Sequence, residues 1–201
     1  EVDQFISGAV SMVSQSGGFG FSVMSLAAMD GRVGFRNVVT TGNEIGISSL
    51  DFMRYMIEDP GTRIITAYIE GLKDAHRLRE IGEAALAAGK PIMLWKVGNS
   101  AEGQKAVASH TANLGGAMAL YQAAFKQTGI LQVEDIEDIV DYTHAFLSDK
   151  VPRGNRVAII TISGGAGILM TDEAIARGLA VQPLSPATVD KLRPLVPGFA
   201  A

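Results

Sequence analysis

At 201 residues with 47% hydrophobic content, the chain is long enough for one large or two small domains around a real core. Its formal net charge of −4, with no basic stripe or aromatic-interleaved basic patch to offset it, argues against a nucleic-acid partner. The lack of any cysteine excludes disulfides, thiolate metal sites and a cysteine nucleophile.

The opening residues Glu1-Val2-Asp3-Gln4-Phe5 have neither the basic start nor the apolar core of a secretory signal. No apolar run approaches the ~20 residues that span a bilayer. A cytoplasmic α/β protein without a membrane partner is therefore expected. Its 23 glycines exceed ordinary usage, as tight turns between alternating strands and helices require.

In chain order, the first strand reads through Ala9-Val10-Ser11-Met12-Val13, and residues 21–29 read as a helix. A strand at 33–40 precedes a helix at 49–57, whose Leu50, Met53, Met56 and Ile57 form an apolar stripe. Asp59-Pro60-Gly61 stops that helix, because proline cannot continue it and glycine permits the turn. Residues 63–69 read as a strand ending at Glu70-Gly71, and 75–88 as a helix closed by Gly89-Lys90-Pro91. Another buried strand follows at 92–97. The stretch around His110, from Gly98-Asn99-Ser100 to Gly115-Gly116, reads as a polar loop. Helices at 114–127 and 133–147 enclose a short strand at 129–131.

Residues 148–155 carry Asp, Lys, Pro, Arg and Gly and read as a linker. The pattern then restarts with a strand at 156–162, a helix at 167–177, a strand at 180–184 and a helix at 186–194. Serial β–α units at this spacing predict a doubly wound parallel sheet over 1–147 with helices on both faces. Residues 156–201 read as the start of a second such domain. Two β–α units are too few to complete it, so the chain is expected to be a piece of a longer polypeptide.

One short pattern occurs twice. Ser14-Gln15-Ser16-Gly17-Gly18 and Thr161-Ile162-Ser163-Gly164-Gly165 each follow an apolar strand and open a helix. Such a turn presents unpaired backbone N–H groups and a positive dipole end, which suit a phosphate. Ser14, Ser16 and Ser163 either donate to that phosphate or cap the helices. No G-x-x-x-x-G-K-[ST] and no complete G-x-G-x-x-G occurs, so neither a P-loop nor a dinucleotide fingerprint is present.

His110, in Ala108-Ser109-His110-Thr111, is the candidate carrier of a phosphoryl group, since functional side chains concentrate on loops held by a rigid sheet. His76 and His144 read as ordinary helix residues. Glu70 ends an apolar strand at the sheet edge where ligands bind in this architecture. A carboxylate there accepts a hydrogen bond from one imidazole nitrogen and leaves the other free as nucleophile, or else it is simply a solvated strand end. Trp95 within a strand and Tyr121 within a helix give little support to a flavin-stacking site.

Taken in order, these residues resemble the nucleoside-diphosphate-forming acyl-CoA synthetases, relatives of succinyl-CoA synthetase. The carriers are Ser14-Gln15-Ser16-Gly17-Gly18, Thr41-Gly42-Asn43-Glu44, Glu58-Asp59-Pro60, Tyr68-Ile69-Glu70-Gly71 and Lys90-Pro91. They continue with Ala108-Ser109-His110-Thr111, Tyr121 with Ala123-Ala124-Phe125, and Ser163-Gly164-Gly165-Ala166-Gly167. The resemblance implies a flavodoxin-like fold and a swinging phosphohistidine at His110, steadied by Glu70. Two helices starting at Ser16-Gly17-Gly18 and Gly164-Gly165-Ala166 would point at it.

The implied reaction joins a small carboxylic acid to CoA with ATP, releasing ADP and phosphate, with Mg²⁺ accompanying the nucleotide and no metal held by this chain. The implied partners are a CoA-binding domain, an ATP-grasp domain and, as family enzymes pair subunits, a second copy. Where the family often continues the histidine motif with Gly, Ala112-Asn113 follow here. Similar domains also regulate fused acyltransferases, so a non-catalytic CoA- or nucleotide-sensing module is the alternative.

Overall fold

Ile64-Ile65-Thr66-Ala67-Tyr68-Ile69 has no charged residue and is buried at five of six positions, the composition of an interior strand of a parallel sheet. The computed structural model makes it the central strand. It describes residues 6–30, 33–111, 118–148, 150 and 152–197, with backbone alone at 30 and 108–111. The chain divides into two compact units, Glu1–Asp149 and Lys150–Ala201.

The first unit runs β1 (Ser7–Ser14), α1 (Gly17–Asp30), β2 (Phe35–Thr40), α2 (Ser49–Glu58), β3 (Ile64–Ile69), α3 (Arg77–Ala87) and β4 (Ile92–Lys96). It continues through α4 (Ala101–Thr111), α5 (Met118–Thr128), β5 (Leu131–Gln132) and α6 (Ile136–Leu147). All pairings are parallel, in the order β2-β1-β3-β4-β5. Strand side chains alternate between two cores. Val13, Ile65, Ala67, Ile69 and Leu94 pack under α2, α3 and α5. Val10, Met12, Ile64 and Met93 pack under α1 and α6. This is the doubly wound, flavodoxin-like arrangement expected.

Local chemistry sets the helix starts. A reciprocal Ser48–Asp51 capping box opens α2, and Asp135, accepting from Asp138 N at 2.6 Å, opens α6 at Ile136 rather than at 133. Lys90 Nζ donates to the carbonyls of Met56, Ile57 and Asp59 and so closes α2 at its C-terminus. Helix α1 begins at Gly17, four residues before the expected 21, because Ser16 already caps it. No helix among the described residues is long and apolar enough to cross a membrane.

The polar loop expected around His110 is instead largely helical: α4 covers Ala101–Thr111 and carries His110 in its last turn. Ser100 Oγ accepts from Gly103 N at 2.9 Å and caps the helix start. Val107 folds α4 back onto the chain after β4, where a Cβ on Gly98 (φ +73°) would come within 2.6 Å of it. The residues 112–116 read as part of that loop lie outside the described residues.

The second unit holds β6 (Arg156–Val157), α7 (Gly164–Ala176), β7 (Ala180–Val181), α8 (Pro186–Leu192) and a 3-10 turn, Arg193–Leu195. The strands expected at 156–162 and 180–184 shrink to two residues each. They pair only with one another, Arg156↔Ala180 and Val157↔Val181, so the following residues find no ladder partner among the described residues. Ile160 and Ile162 are correspondingly exposed, and α7 buries no side chain.

Candidate functional site

The helix after β1 covers one face of the sheet and the helix after β3 covers the other. The order β2-β1-β3 therefore puts the topological switch point between β1 and β3, the crevice where open α/β sheets bind ligands. The turn following β1 and the turn following β3 form this edge.

After β1 the Ser14 hydroxyl accepts from Ser16 N at 3.1 Å and donates to Ser16 O at 2.6 Å, closing a tight turn. Ser16 Oγ then accepts from Phe19 N at 3.3 Å, the side-chain cap of α1. The amides of Gly17 and Gly18 keep no protein partner among the described residues. Neither glycine has a positive φ, and a Cβ on either would meet nothing within 4 Å. The fold itself thus does not require these glycines. What they leave bare is backbone N–H at a helix N-terminus, accessible to an anion. Ser14 is fully buried, so its hydroxyl shapes this turn from within.

The second unit repeats the device with different residues. Thr161 Oγ1 accepts from Ser163 N at 3.0 Å and donates to Ser163 O at 3.2 Å, as Ser14 does for Ser16. Ser163 Oγ caps α7 by accepting from Ala166 N at 3.4 Å. A Cβ on Gly164 or Gly165 would again meet nothing within 4 Å.

Glu70 follows β3 and is 5% exposed. Its turn is bound to the β1 turn through Gln15. Gln15 Oε1 accepts from Glu70 N at 2.6 Å and from Gly71 N at 3.1 Å, while Gln15 Nε2 donates to Gly71 O at 2.8 Å. Tyr121 of α5 takes the next amide, its hydroxyl accepting from Leu72 N at 3.2 Å. The carboxylate's charge reaches its own strand and the neighbouring β4. Burial, and secondarily Glu70, push the Tyr68 phenol up. Burial pulls the Lys96 ammonium down, and Glu70 opposes that shift.

Lys96, 2% exposed, is the largest fully buried side chain. Its Nζ donates to Val97 O and lies 5.1 Å from the Tyr121 ring centroid. On the other face Phe19 stacks on Tyr68 at 4.0 Å between centroids, and Trp95 meets Phe19 edge-on at 5.0 Å. The next loop along this edge is braced by buried Glu44 (φ +54°), whose Oε1 accepts from Thr41 Oγ1 at 3.0 Å and Ser49 N at 2.8 Å. The structure thus brings Ser14, Ser16, Gly17, Gly18 and Glu70 to one edge. Ser163, Gly164 and Gly165 belong to the second unit, and the His110 side chain lies outside the described residues. Sequence reasoning singled out neither Gln15 nor Lys96 as site residues. The signal for Lys96 was a lone charge closing an apolar run.

A parallel 2-1-3-4-5 sheet with a bare helix N-terminus and a buried carboxylate at its switch point defines a flavodoxin-like domain. The family described as "Succinyl-CoA ligase like flavodoxin domain" matches residues 7–146, and this chain belongs to it. It is 37% identical over 194 residues to the alpha subunit of acetate–CoA ligase [ADP-forming] II of Pyrococcus furiosus, spanning 96% of this chain and 42% of that protein. It is 35% identical over 193 residues to acetate–CoA ligase [ADP-forming] of Methanocaldococcus jannaschii, spanning 96% and 27%. Among solved structures it resembles the dinucleotide-forming acetyl-coenzyme A synthetase 1 of Ca. Korarchaeum cryptofilum, solved with phosphate and ADP. There the TM-score is 0.84 and the identity 33%, over 96% of this chain and 42% of that one. The chain therefore spans less than half the length of these relatives.

Proposed function

We propose that this chain is the phosphoryl-carrying part of an ADP-forming acyl-CoA synthetase, with His110 as the carrier and Glu70 as its partner. The observation that carries this reading is the buried Glu70, locked by Gln15 beside the bare amides of Gly17 and Gly18. A strand-end glutamate with no task would sit in water. This one is withdrawn from solvent and held at both backbone ends of its turn.

In the proposed cycle one imidazole nitrogen of His110 attacks the γ-phosphorus of ATP, and ADP leaves with the former bridging oxygen. A carboxylate oxygen of the acid then attacks that phosphorus, giving an acyl phosphate and free imidazole. The thiolate of CoA finally attacks the acyl carbon and expels phosphate. The contribution of this chain is electrostatic. Glu70 accepts the N–H of the second imidazole nitrogen, fixing the tautomer. The Gly17 and Gly18 amides at the start of α1 face the added negative charge, an effect of about 0.3–2 kcal/mol at a helix N-terminus. Ser16 keeps that helix start open and Ser14 shapes the turn beneath it. Ser163, Gly164 and Gly165 offer an equivalent anion site in the second unit. CoA, ATP and its Mg²⁺, the CoA-binding and ATP-grasp parts, and a second subunit are assigned to the whole protein.

The test is intact-mass analysis and peptide mapping of the full-length parent after incubation with Mg-ATP. One acid-labile, alkali-stable phosphoryl group on His110, lost together with synthetase activity in His110→Asn, is the expected result. No addition while the nucleotide is demonstrably bound would overturn it and favour a regulatory module.

A further inference from the structure

Lys96 is a charge the fold does not need. It stands on the face of β4 that packs under α5, with Leu94 before it on that face and Ile69 opposite it in the β3 register. Methionine would fill the same volume without the desolvation cost of an ammonium. The side chain is nevertheless buried, and its head is fixed from two sides. The Val97 carbonyl accepts from Nζ, and the Tyr121 ring lies beneath it at 5.1 Å. Tyr121 is itself tied to the Glu70 turn through the Leu72 amide.

The Glu70-Gly71-Leu72 turn is thus gripped by Gln15 at its first two amides and by Tyr121 at its third. Lys96 lies beside it on the neighbouring strand. Among the described residues, the Tyr121 ring of α5 lies by the ammonium, and Glu70, one residue past Lys96's register partner Ile69, is the acidic group whose charge bears on it. No ion pair closes between them, so the ammonium acts across a gap, as a fixed charge rather than a clasp.

We propose that Lys96 is a positioning residue for Glu70: its buried positive charge holds the carboxylate as the acceptor that orients the His110 imidazole. The proposal deepens the phosphohistidine reading and rests on it. Lys96 itself touches neither nucleotide nor acid. Its role is to offset the charge of the buried Glu70 carboxylate when His110 is unmodified. When the phosphoryl group arrives, the same charge opposes the repulsion between that group and Glu70.

The experiment uses the full-length protein and its Lys96→Met, Lys96→Arg, Glu70→Gln and Lys96→Met/Glu70→Gln variants. It follows acid-labile phosphate on His110 after brief exposure to Mg-ATP, from pH 5 to 9. Lys96→Met is expected to phosphorylate about tenfold more slowly at neutral pH, with its pH–rate profile displaced from that of the wild type. Lys96→Arg should keep the profile in place, which secures the test if the methionine variant folds poorly. The methionine effect should vanish in the Glu70→Gln background, where no charge remains to compensate.

Wild-type rate and profile in Lys96→Met would overturn the proposal and leave the phosphohistidine reading standing. So would a methionine effect of equal size with Glu70 removed, or a displaced profile in Lys96→Arg. Absence of phosphate on the wild type with nucleotide bound would overturn both.

Discussion

Replacing Gln15 with methionine keeps the length of the side chain and removes both of its polar atoms. Three hydrogen bonds disappear: those from the Glu70 and Gly71 amides, 2.6 and 3.1 Å long, and the 2.8 Å bond to the Gly71 carbonyl. Gln15 is 2% exposed, so these three bonds are lost in a place that water reaches poorly. Each buried group left unpaired costs about 1–3 kcal/mol. Because one oxygen serves two of the donors, and the turn can relax together, we expect a total of about 3–5 kcal/mol. That is a large fraction of the ~5–15 kcal/mol that holds an ordinary domain together. Trp95, the only tryptophan, sits on β4 in the first unit and reports urea unfolding of that unit alone. With a slope of about 1–3 kcal/mol per molar urea, the midpoint should fall by ~1–5 M. Hydrogen exchange at the Glu70 and Gly71 amides should accelerate in parallel. A midpoint shift below ~0.5 M at unchanged slope would refute the reasoning, since the turn would then be held by something other than Gln15.

Two further perturbations follow from the same packing. Acidification should weaken the first unit. Hydrogen bonds from Ser48 and then Arg77 lower the Asp51 carboxyl to about 2, and Arg36 and then Thr62 hold Asp59 well below the usual carboxylate range. Stability from such depressed acids is fully present above their unfolded values near ~4 and is lost as pH falls toward their folded values. The urea midpoint should therefore drop between about pH 5 and pH 2, and Asp59→Asn should flatten that acid limb; an unchanged limb in the variant would contradict the assignment. Gly82→Ala should destabilise by about 1–3 kcal/mol despite alanine's better helix propensity, because its Cβ would lie 2.5 Å from Thr128 Cβ and 3.0 Å from Ile130 Cδ1. A raised thermal midpoint would show that α3 and α5 separate freely.

How far the sequence could be read depended on whether an element carries a periodic signal. Helix α2 was legible because Leu50, Met53, Met56 and Ile57 mark one face and are all buried, while Asp59-Pro60 ends the run. Strand β3 was legible because an uncharged apolar hexad has few other uses. Helix α4 gave no such signal. Its Glu102, Gly103, Gln104 and Lys105 show no apolar stripe, and Val107 is the one described side chain it buries. The Ser100 cap was the only local cue, and a serine among Gly and Asn reads equally well as loop. The short strands of the second unit were over-read for the opposite reason. The residues around Ile159 and Ile160 have strand character, but a strand exists only where a neighbour accepts its hydrogen bonds.

The candidate site divides along the same line. Its anion-facing half is built from contacts two or three residues apart: Ser14 with Ser16, Ser16 with Phe19, and in the second unit Thr161 with Ser163 and Ser163 with Ala166. Such contacts are written into consecutive letters, so one motif read twice was enough to find both. The carboxylate-facing half is built from contacts that no local window contains. Gln15 reaches Gly71 across 56 positions, Tyr121 reaches Leu72 across 49, and Lys96 meets the end of β3 only through strand register. Only their outcome was visible in the sequence, as a glutamate closing an apolar strand. The long-range half is also where charge is buried, and there the cost of misplacing a group is greatest. Substitutions at Gln15 and Lys96 should therefore separate holding the turn from charging it, the first read in urea and the second in the pH profile of phosphorylation.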